Sequence, residues 1–563
     1  MSKTLSQSIG PVANSSDQLL IDEEVLKHEE SIRKLRSLRN THSPVSKLPR
    51  EVLGHIFNIA ANWPKSNSYT ELPYSPVKRF NFSFVCQHWR ILSVGTPKLW
   101  CFITSNYPQN WTRALLERSK MSRLTYHASP SHHHRQSSGA FFVKEVLEGH
   151  LHRIQELIFD SSVGEAQAFW DSLPSSAPCL RTLKIKTFTF PINFPGNTLR
   201  DAQLSTLEVR GCRLDWNSHF LTGLKHLKIG SVNLPTFHEF TNALRRMPEL
   251  VSLDLDDIPD FESVQISEPV VLTQLEGLCI SCAFNGLLDI LQSLSVPIET
   301  ALDLSCRSGP YTGATEEGLQ SALITSMNKF FKLMICRDGQ KLQYDELHLV
   351  QCGEDEIGYK AWQEPRSAKP PFNRESKLDF RLIFEGLLPA NVILRMIPLF
   401  PPMSQLSTLG FSQIDDVQIL PLADVVEKLP MLKMLVLDDD TYVSVLEMLS
   451  LQEDSSLEHT ASTPDGELFF SNLDTLCVEE VNFSAGLIRD LQDCLIVRYE
   501  SGVPIHRLVI KECFEISLSD VSSLREIVDV EWDGSERIGA NVGSLPFENF
   551  YGPYGYGYDS DSD

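Results

Sequence analysis

The clearest hydrophobic pattern in the chain is the unit apolar-x-x-Leu-x-apolar, which recurs from residue 150 onward. Inside each unit apolar positions alternate with other residues, which is typical of a short strand with its leucines on one side. Twelve copies can be placed, one of them imperfect, at Glu299 to Leu304. Their central leucines are Leu157, Leu183, Leu207, Leu227, Leu253, Leu278, Leu302, Leu347, Leu409, Leu435, Leu476 and Leu508.

The spacing of these leucines predicts the fold. The first seven are separated by 26, 24, 20, 26, 25 and 24 residues, within the roughly 20–29 residues of leucine-rich repeats. Later intervals of 45, 62, 26, 41 and 32 residues predict insertions or unrecognised repeats. The pattern therefore predicts a solenoid, a horseshoe of short parallel strands with helices or irregular returns outside. An ordinary α/β domain whose strands happen to contain Leu-x-Leu is the alternative.

One return segment, residues 231–248, has a helical pattern of its own, and Pro248 closes it. Its apolar residues at helical spacing are Phe237, Phe240, Leu244 and Met247.

A pattern of helical period also precedes the repeats. Pro49 suits the first turn of a helix because its missing N–H would be unsatisfied there anyway. The apolar residues that follow it at helical spacing are Val52, Leu53, Ile56, Phe57 and Ala60. Three prolines predict a loop over residues 61–77, after which Phe80, Phe84, Val85, Trp89 and Leu92 resume the spacing. Such a small unit has surplus apolar side chains for a partner to cover, although a plain helical cap on the repeats is the alternative.

Residues 48–103 contain three motifs in order: Leu-Pro-x-Glu-x-Leu-x-x-Ile-Phe, then Val-Cys-x-x-Trp-Arg, then Thr-Pro-x-Leu-Trp. In this order they resemble the F-box family, in the form common in fungal proteins. The resemblance implies a bundle of short helices that binds the Skp-type adaptor of a cullin-based ubiquitin ligase. The residues that it implies for contact, or for holding the contact surface, are Leu48, Pro49, Glu51, Ile56, Phe57, Val85, Cys86, Trp89 and Leu99. The loop at 61–77 departs from the compact form of the motif by its length.

The predicted fold class is α/β, with a short all-α F-box module followed by a leucine-rich-repeat solenoid. The predicted parts are a disordered N-terminus (1–17), an amphipathic helix (18–42), an F-box-like domain (45–103), a connecting region (104–149), the solenoid (150–540) and a low-complexity acidic tail (541–563). The helix carries only about two heptads, which favours packing on the F-box over self-association.

Composition excludes several classes of function. The chain has 563 residues, of which 42% are hydrophobic, and its net charge is −23, which disfavours binding to nucleic acid or anionic membranes. It has neither an apolar run long enough to span a membrane nor an apolar signal-peptide core at its N-terminus. We therefore expect a cytoplasmic or nuclear protein that binds a basic or neutral protein partner.

The sequence offers no constellation for catalysis, metal binding or a cofactor, so an enzyme is not expected. Cys212, Cys352 and Cys513 each follow a central leucine by five residues, where leucine-rich repeats place Asn or Cys. The lone Cys279-x-x-Cys282 has no second ligand pair at zinc spacing. The histidine tract at residues 132–134 is typical of a solvated loop.

Inward leucines would place the next residue of each strand on the concave surface. The charged or polar members of this set are the candidates for target binding: Lys184, Glu208, Lys228, Asp254, Asp303 and His348. The other members are Cys279, Gly410, Val436, Cys477 and Val509. Together with this surface, the F-box resemblance implies a substrate-receptor subunit that joins an adaptor, and through it a cullin, to an unknown target. The alternatives are a scaffold with an F-box-like cap, and a hydrolase or transferase hidden in the insertions at 305–347 or 352–406.

Overall fold

The structure, a computed structural model, describes the chain in segments that fall into two compact units, Met1–Asp160 and Ser161–Asp563. The described segments are residues 15–62, 80–128, 145–161, 176–187, 192–194, 199, 201–231, 236–258, 261, 268–307, 316–336, 342–351, 356–363, 380–385, 390–414, 422, 425–450, 470–483 and 486–536. Most of the predicted disordered N-terminus, most of the loop at 61–77 and the whole acidic tail lie outside these residues.

The first unit combines short helices with a parallel sheet. Its helices are α1 (Ser15–Thr41), α2 (Arg50–Asn62), α3 (Gln87–Val94) and α4 (Gln109–Arg118). Its 3-10 helices are Pro44–Lys47, Asn81–Phe84, Pro97–Trp100 and Leu151–Arg153, and its strands are β1 (Phe102–Thr104), β2 (Leu124–Ala128) and β3 (Ile154–Ser161). Strand β2 pairs in parallel with both β1 and β3. The region predicted only to connect two domains therefore contains regular structure.

Arg153 ties the end of α4 to this sheet. Its buried guanidinium donates to Ser119 Oγ at 3.1 Å, to the Ser122 carbonyl at 3.1 Å and to the Leu116 carbonyl at 3.3 Å. Carbonyls at the end of a helix have no partner within it and carry partial negative charge. A cation among them therefore stabilises this helix end.

The second unit contains a large, mostly parallel sheet, two separate two-stranded sheets, and helices between strands. Its strands are β4 (Thr182–Thr187), β5 (Ile192–Asn193), β6 (Thr206–Arg210), β7 (Cys212–Arg213), β8 (His226–Gly230), β9 (Ser252–Ile258), β10 (Val270–Val271), β11 (Gly277–Ala283), β12 (Leu294–Ser295), β13 (Ala301–Arg307), β14 (Glu346–Gln351), β15 (Glu356–Trp362), β16 (Phe380–Glu385), β17 (Thr408–Ser412), β18 (Met434–Leu437), β19 (Thr475–Glu479), β20 (Arg507–Lys511) and β21 (Asp529–Trp532). Its helices are α5 (Phe237–Arg245), α6 (Phe284–Ser293), α7 (Glu316–Leu333), α8 (Ala390–Met396), α9 (Asp439–Ser450), α10 (Leu487–Glu500) and α11 (Leu518–Leu524). Its 3-10 helices are His219–Leu221, Ile397–Leu399 and Pro401–Met403.

The predicted central leucines form a ladder through the core of this sheet. From β4 to β13, each pairs in register with the central leucine of the next strand, as Leu227 does with Leu253. The same holds from β14 through β17, β18 and β19 to β20. All twelve leucines lie in strands and are at most 2% exposed. The predicted strands are therefore confirmed.

A common turn ends many of these strands. The residue four positions after the central leucine has a positive φ, a conformation that costs energy for any residue but glycine. The residues that share it are Gly211 (69°), Ser231 (48°), Asp257 (52°), Gln413 (58°), Glu480 (59°) and Glu512 (50°). The next residue then returns to the core, as the buried Cys212, Val481 and Cys513 do.

Two strands without a central leucine interrupt the sheet. Strands β14, β15 and β16 follow one another antiparallel, and β16 pairs in parallel with β13. The sheet order is therefore β13-β16-β15-β14-β17. This insertion accounts for part of the long interval after Leu347, where the sequence predicted an insertion or an unrecognised repeat.

The described part of the return segment, residues 236–248, contains the predicted helix. Helix α5 begins with a capping box, in which Glu239 N–H donates to Thr236 Oγ1 at 3.3 Å and Thr236 N–H donates to Glu239 Oε2 at 3.0 Å. Its four predicted apolar residues, Phe237, Phe240, Leu244 and Met247, are buried.

Candidate functional site

An aromatic cluster holds α2 and α3 together in the first unit. Phe57 stacks on Phe82 with ring centroids 4.7 Å apart and meets Trp89 at 5.0 Å. Phe57 and Leu53 are four residues apart on α2, so they share one side of the helix, and both are buried. This side of α2 is the internal core of the helical segment.

A second aromatic contact fixes the Thr-Pro-x-Leu-Trp segment. Phe80 lies 4.6 Å from Trp100, whose indole Nε1 donates to the Ser93 carbonyl at 2.8 Å. The guanidinium of Arg118 lies over the Trp100 ring at 4.6 Å. Leu99 and Trp100 are both buried. The Leu-Trp pair of the Thr-Pro-x-Leu-Trp motif therefore belongs to the internal core of the helical segment.

Other apolar side chains of the same elements face solvent. On α2 these are Val52, Ile56 and Ile59, at 41–48% exposure. The remaining members are Phe84, Val85, Ile91 and Val94, between 39% and 65% exposed. We call these seven residues the apolar patch. The helical stripe predicted on α2 thus contains two rows, one that builds the core and one that remains available for contact.

The sequence segment that carries the apolar patch has a net charge opposite in sign to that of the whole chain. Residues 42–100 contain two acidic residues against seven Lys and Arg. Of these, Lys47, Arg50, Arg90 and Lys98 are described and exposed. The net charge of the chain favoured a basic or neutral partner, whereas this local excess of positive charge favours an acidic one.

The residues that the F-box resemblance implied occupy three kinds of position. Phe57 and Leu99 are buried, whereas Leu48, Cys86 and Trp89 are half-buried. Exposed members are Pro49, Glu51, Ile56 and Val85. Sequence reasoning did not assign contact to Ile59, Phe84, Ile91 or Val94; the i, i+3 spacing of Ile91 and Val94 was the available signal.

In the second unit, the residues next to the central leucines lie on the opposite side of the sheet, and their charges pair between strands. Lys186 Nζ is 2.8 Å from Glu208 Oε1, and Lys184 Nζ is 3.4 Å from Glu208 Oε2. Lys228 donates to Asp254 at 2.6 Å. Four of the six target-binding candidates therefore neutralise each other or a neighbour.

Asp303, the fifth candidate, is held by an arginine from the inserted strands. Arg381 on β16 donates from Nε to Asp303 Oδ1 and from a terminal nitrogen to Oδ2, both at 2.6 Å. Such bidentate pairs are strong and geometrically defined. Each side chain remains 28% exposed, so the pair can still be reached by a ligand.

These contacts shift the pKa values of two acidic residues, Glu208 and Asp254, in opposite directions. Burial opposes the ionisation of Glu208, but the hydrogen bond and charge of Lys186, with the charge of Lys184, outweigh it and lower its pKa. Burial is the largest influence on Asp254 and raises its pKa, which Lys228 only partly offsets.

Substitutions of Glu208 and Asp254 should therefore have opposite effects on how much stability the protein loses at acid pH. The contribution of Glu208 to the free energy of unfolding is present above the pKa of an unfolded glutamate and is lost as pH falls through its lower folded pKa. We expect Glu208→Gln to lose less stability than wild type between about pH 6 and about pH 3, measured by urea unfolding. Asp254→Asn should lose more stability than wild type over the same pH range, because protonation of Asp254 in the wild type favours the folded state. Parallel profiles for all three proteins would contradict this electrostatic assignment.

His348, the sixth candidate, is buried. Its Nε2 lies 2.7 Å from Glu346 Oε1, and its ring meets Trp362 edge-on at 5.3 Å. The ring is also directly over Gly410: a Cβ there would be 2.5 Å from His348 Cε1. In this structure His348 therefore supports the sheet and is not presented to a partner.

Gly410 is expected to be indispensable for this packing. The Gly410→Ala variant should lose about 1–3 kcal/mol of stability in urea unfolding, because its methyl group overlaps the imidazole. Removing the ring in Gly410→Ala/His348→Ala should recover part of the loss due to the glycine substitution. Gly277→Ala is the matched control, since a Cβ there meets nothing within 4 Å. Equal losses at Gly277 and Gly410 would refute the steric explanation.

Cys212 and Cys513, two of the three cysteines predicted to be structural, are buried. Burial raises the pKa of Cys212 and of Cys513 to about 12, and Cys513 Sγ donates to the Lys511 carbonyl at 3.2 Å. Burial likewise raises the pKa of Cys279. Among the residues that the structure describes, no three His, Cys, Asp or Glu side chains converge as metal ligands would. Cys352 and the histidines at 132–134 lie outside that set.

The comparisons with known proteins add no family. No protein-family model matches the sequence, and a search of curated proteins finds no similar one. Across the described helices, none combines the length and apolar character needed to span a membrane.

Proposed function

We propose that this chain is a substrate-receptor subunit of a cullin-based ubiquitin ligase. The helical segment at residues 48–103 binds a Skp-type adaptor, and the repeat region holds a target protein. The observation that carries the proposal is the apolar patch: seven large apolar side chains face solvent on elements whose own core is already filled by aromatic rings. Exposed apolar side chains grouped on one small unit are typical of protein contact sites.

The packing of Phe57 supports adaptor binding better than the scaffold alternative. A mere cap on the repeats would bury Leu48, Ile56 and Phe57 against them. Phe57 is instead buried by Phe82 and Trp89 of its own unit. The positive net charge of this segment of sequence favours a partner whose contact surface is acidic.

The repeat geometry supports a leucine-rich-repeat solenoid as the finer description of the second unit. In-register leucines, the positive φ four residues later and the buried fifth residue recur from copy to copy. The inserted strands β15 and β16 are the departure from that architecture. Repeats of this kind present one face of the sheet as an extended binding surface.

The target surface is the strip of paired charges between β4 and β16. Acidic and basic side chains alternate in this strip and nearly cancel in charge, which favours a target that also carries both charges. In this role the chain needs no catalytic group, because holding a target near a ubiquitin-conjugating enzyme raises its effective concentration. The described parts of the insertions include α7, β15, β16, α8 and two 3-10 helices, which are regular elements of the fold.

Capture on an immobilised Skp-type adaptor tests the proposal. Wild type should be retained, and Leu48→Ala/Pro49→Ala should be retained less, with both proteins checked for unchanged thermal unfolding. If the folded wild type is not retained, the adaptor role is excluded and a scaffold becomes the better account.

A further inference from the structure

Helix α1 exposes apolar side chains along its whole length. Its large apolar residues are Leu19, Leu20, Ile21, Val25, Leu26, Ile32, Leu35 and Leu38, and they are 48–68% exposed. The sequence had favoured packing of this helix on the F-box. That packing stays a prediction: the described side chains of residues 18–41 are exposed, apart from the half-buried Glu30 and Asn40.

Four of these residues form a continuous stripe. Ile21, Val25, Ile32 and Leu35 have the 4, 7 and 3 residue spacing that keeps them on one side of a helix, with His28 between them. Leu19 and Leu26 lie on the opposite side of α1 by the same geometry. The stripe is the natural contact surface of this helix.

The charges of α1 select the partner. Residues 15–28 contain four acidic residues and one lysine, whereas residues 29–41 contain two acidic residues and four Lys or Arg. The ion pairs within the helix join neighbours in the same half, such as Lys27 with Glu23 at 3.2 Å and Arg33 with Glu30 at 2.6 Å. Each half therefore keeps its excess charge, negative in the first and positive in the second.

We infer that α1 docks antiparallel on α1 of a second copy of this chain. An antiparallel pair places the acidic half of each helix beside the basic half of the other. These two acidic–basic contacts are equivalent, because a two-fold axis relates the two copies. A parallel pair would align like charges. The antiparallel pair also brings Ile21 and Val25 of one copy near Ile32 and Leu35 of the other, which buries both stripes. This inference does not rest on the proposed function.

One consequence concerns the apolar patch. Because α1 ends at Thr41 and α2 begins at Arg50, the dimer joins two copies close to their adaptor-binding segments. Two linked receptors engage a multivalent target with avidity greater than either alone.

Sedimentation velocity of the full chain over a range of micromolar concentrations tests the inference. Wild type should show a reversible monomer–dimer equilibrium. Val25→Gln/Ile32→Gln, which changes only exposed positions of the stripe, should weaken the dimer at least tenfold. Leu19→Gln/Leu26→Gln, the matched change on the opposite side, should leave it intact.

The orientation has its own test. Glu23→Lys/Glu24→Lys makes the first half of α1 basic, so an antiparallel dimer should weaken, whereas a parallel dimer should be unchanged or strengthened. A monomeric wild type, a dimer that survives Val25→Gln/Ile32→Gln, or equal weakening in both glutamine variants would overturn the inference. Circular dichroism and thermal unfolding should be the same for all variants.

Discussion

Replacing Ile56 and Val85 by aspartate should weaken binding to a Skp-type adaptor by roughly 100-fold or more. Both side chains belong to the apolar patch, and both are accessible before binding, at 41% and 60% exposure. A partner that covers them would bury two carboxylates without a compensating charge, and each such burial costs several kcal/mol. Every 1.4 kcal/mol is about a tenfold loss of affinity. Titration calorimetry with purified adaptor measures the effect.

Two further variants distinguish residues that contact the adaptor from residues that stabilise the fold. Met121→Asp introduces the same charge at an apolar side chain that is 78% exposed in the same unit but outside the patch, so binding should be unchanged. Phe57→Ala removes a ring from the aromatic cluster, so it should lower stability and binding together. If Ile56→Asp/Val85→Asp binds like wild type, the apolar patch is not the adaptor site.

Truncation of the leucine ladder should have the largest effect on stability. Leu253 is fully buried between Leu227 and Leu278, with which it pairs in register, so Leu253→Ala leaves a cavity that the neighbouring strands cannot close. The expected loss in the free energy of unfolding is about 2–5 kcal/mol, measured by urea denaturation. Leu518→Ala, at a residue that is 57% exposed, should change it by less than about 0.5 kcal/mol.

A double substitution tests whether the ladder is continuous. Leu227 and Leu253 touch the same core, so the losses from Leu227→Ala and Leu253→Ala should not add. Leu253 and Leu508 lie on distant strands, β9 and β20, so their losses should add within about 0.5 kcal/mol. Additive losses for the adjacent pair would contradict a shared core.

The strands were predictable because their signal is local. A central leucine with apolar neighbours two and three residues away identifies a strand from six residues of sequence, and all twelve strands predicted this way are present. Strand β15 carries Tyr359 and Ala361 at its core-facing positions, where no leucine marks a repeat. Nothing local indicates that β16 returns to pair with β13, because that order depends on the whole insertion.

The candidate surfaces were predictable only in part, because they depend on contacts between residues that are distant in sequence. Arg381 and Asp303 are 78 residues apart in sequence, so their pairing follows from the sheet order and not from spacing. On α2, apolar periodicity identified both rows of side chains without distinguishing the buried row of Leu53 and Phe57 from the exposed row of Val52 and Ile56. That distinction depends on where Phe82 and Trp89 pack.

Assembly of the full chain with a purified Skp-type adaptor and a cullin, followed by size-exclusion chromatography with light scattering, tests the central claim most directly. The account predicts that the folded chain co-elutes with both proteins, and that omitting the adaptor leaves the chain separate from the cullin. Separate elution of the folded chain in the presence of both proteins would contradict it.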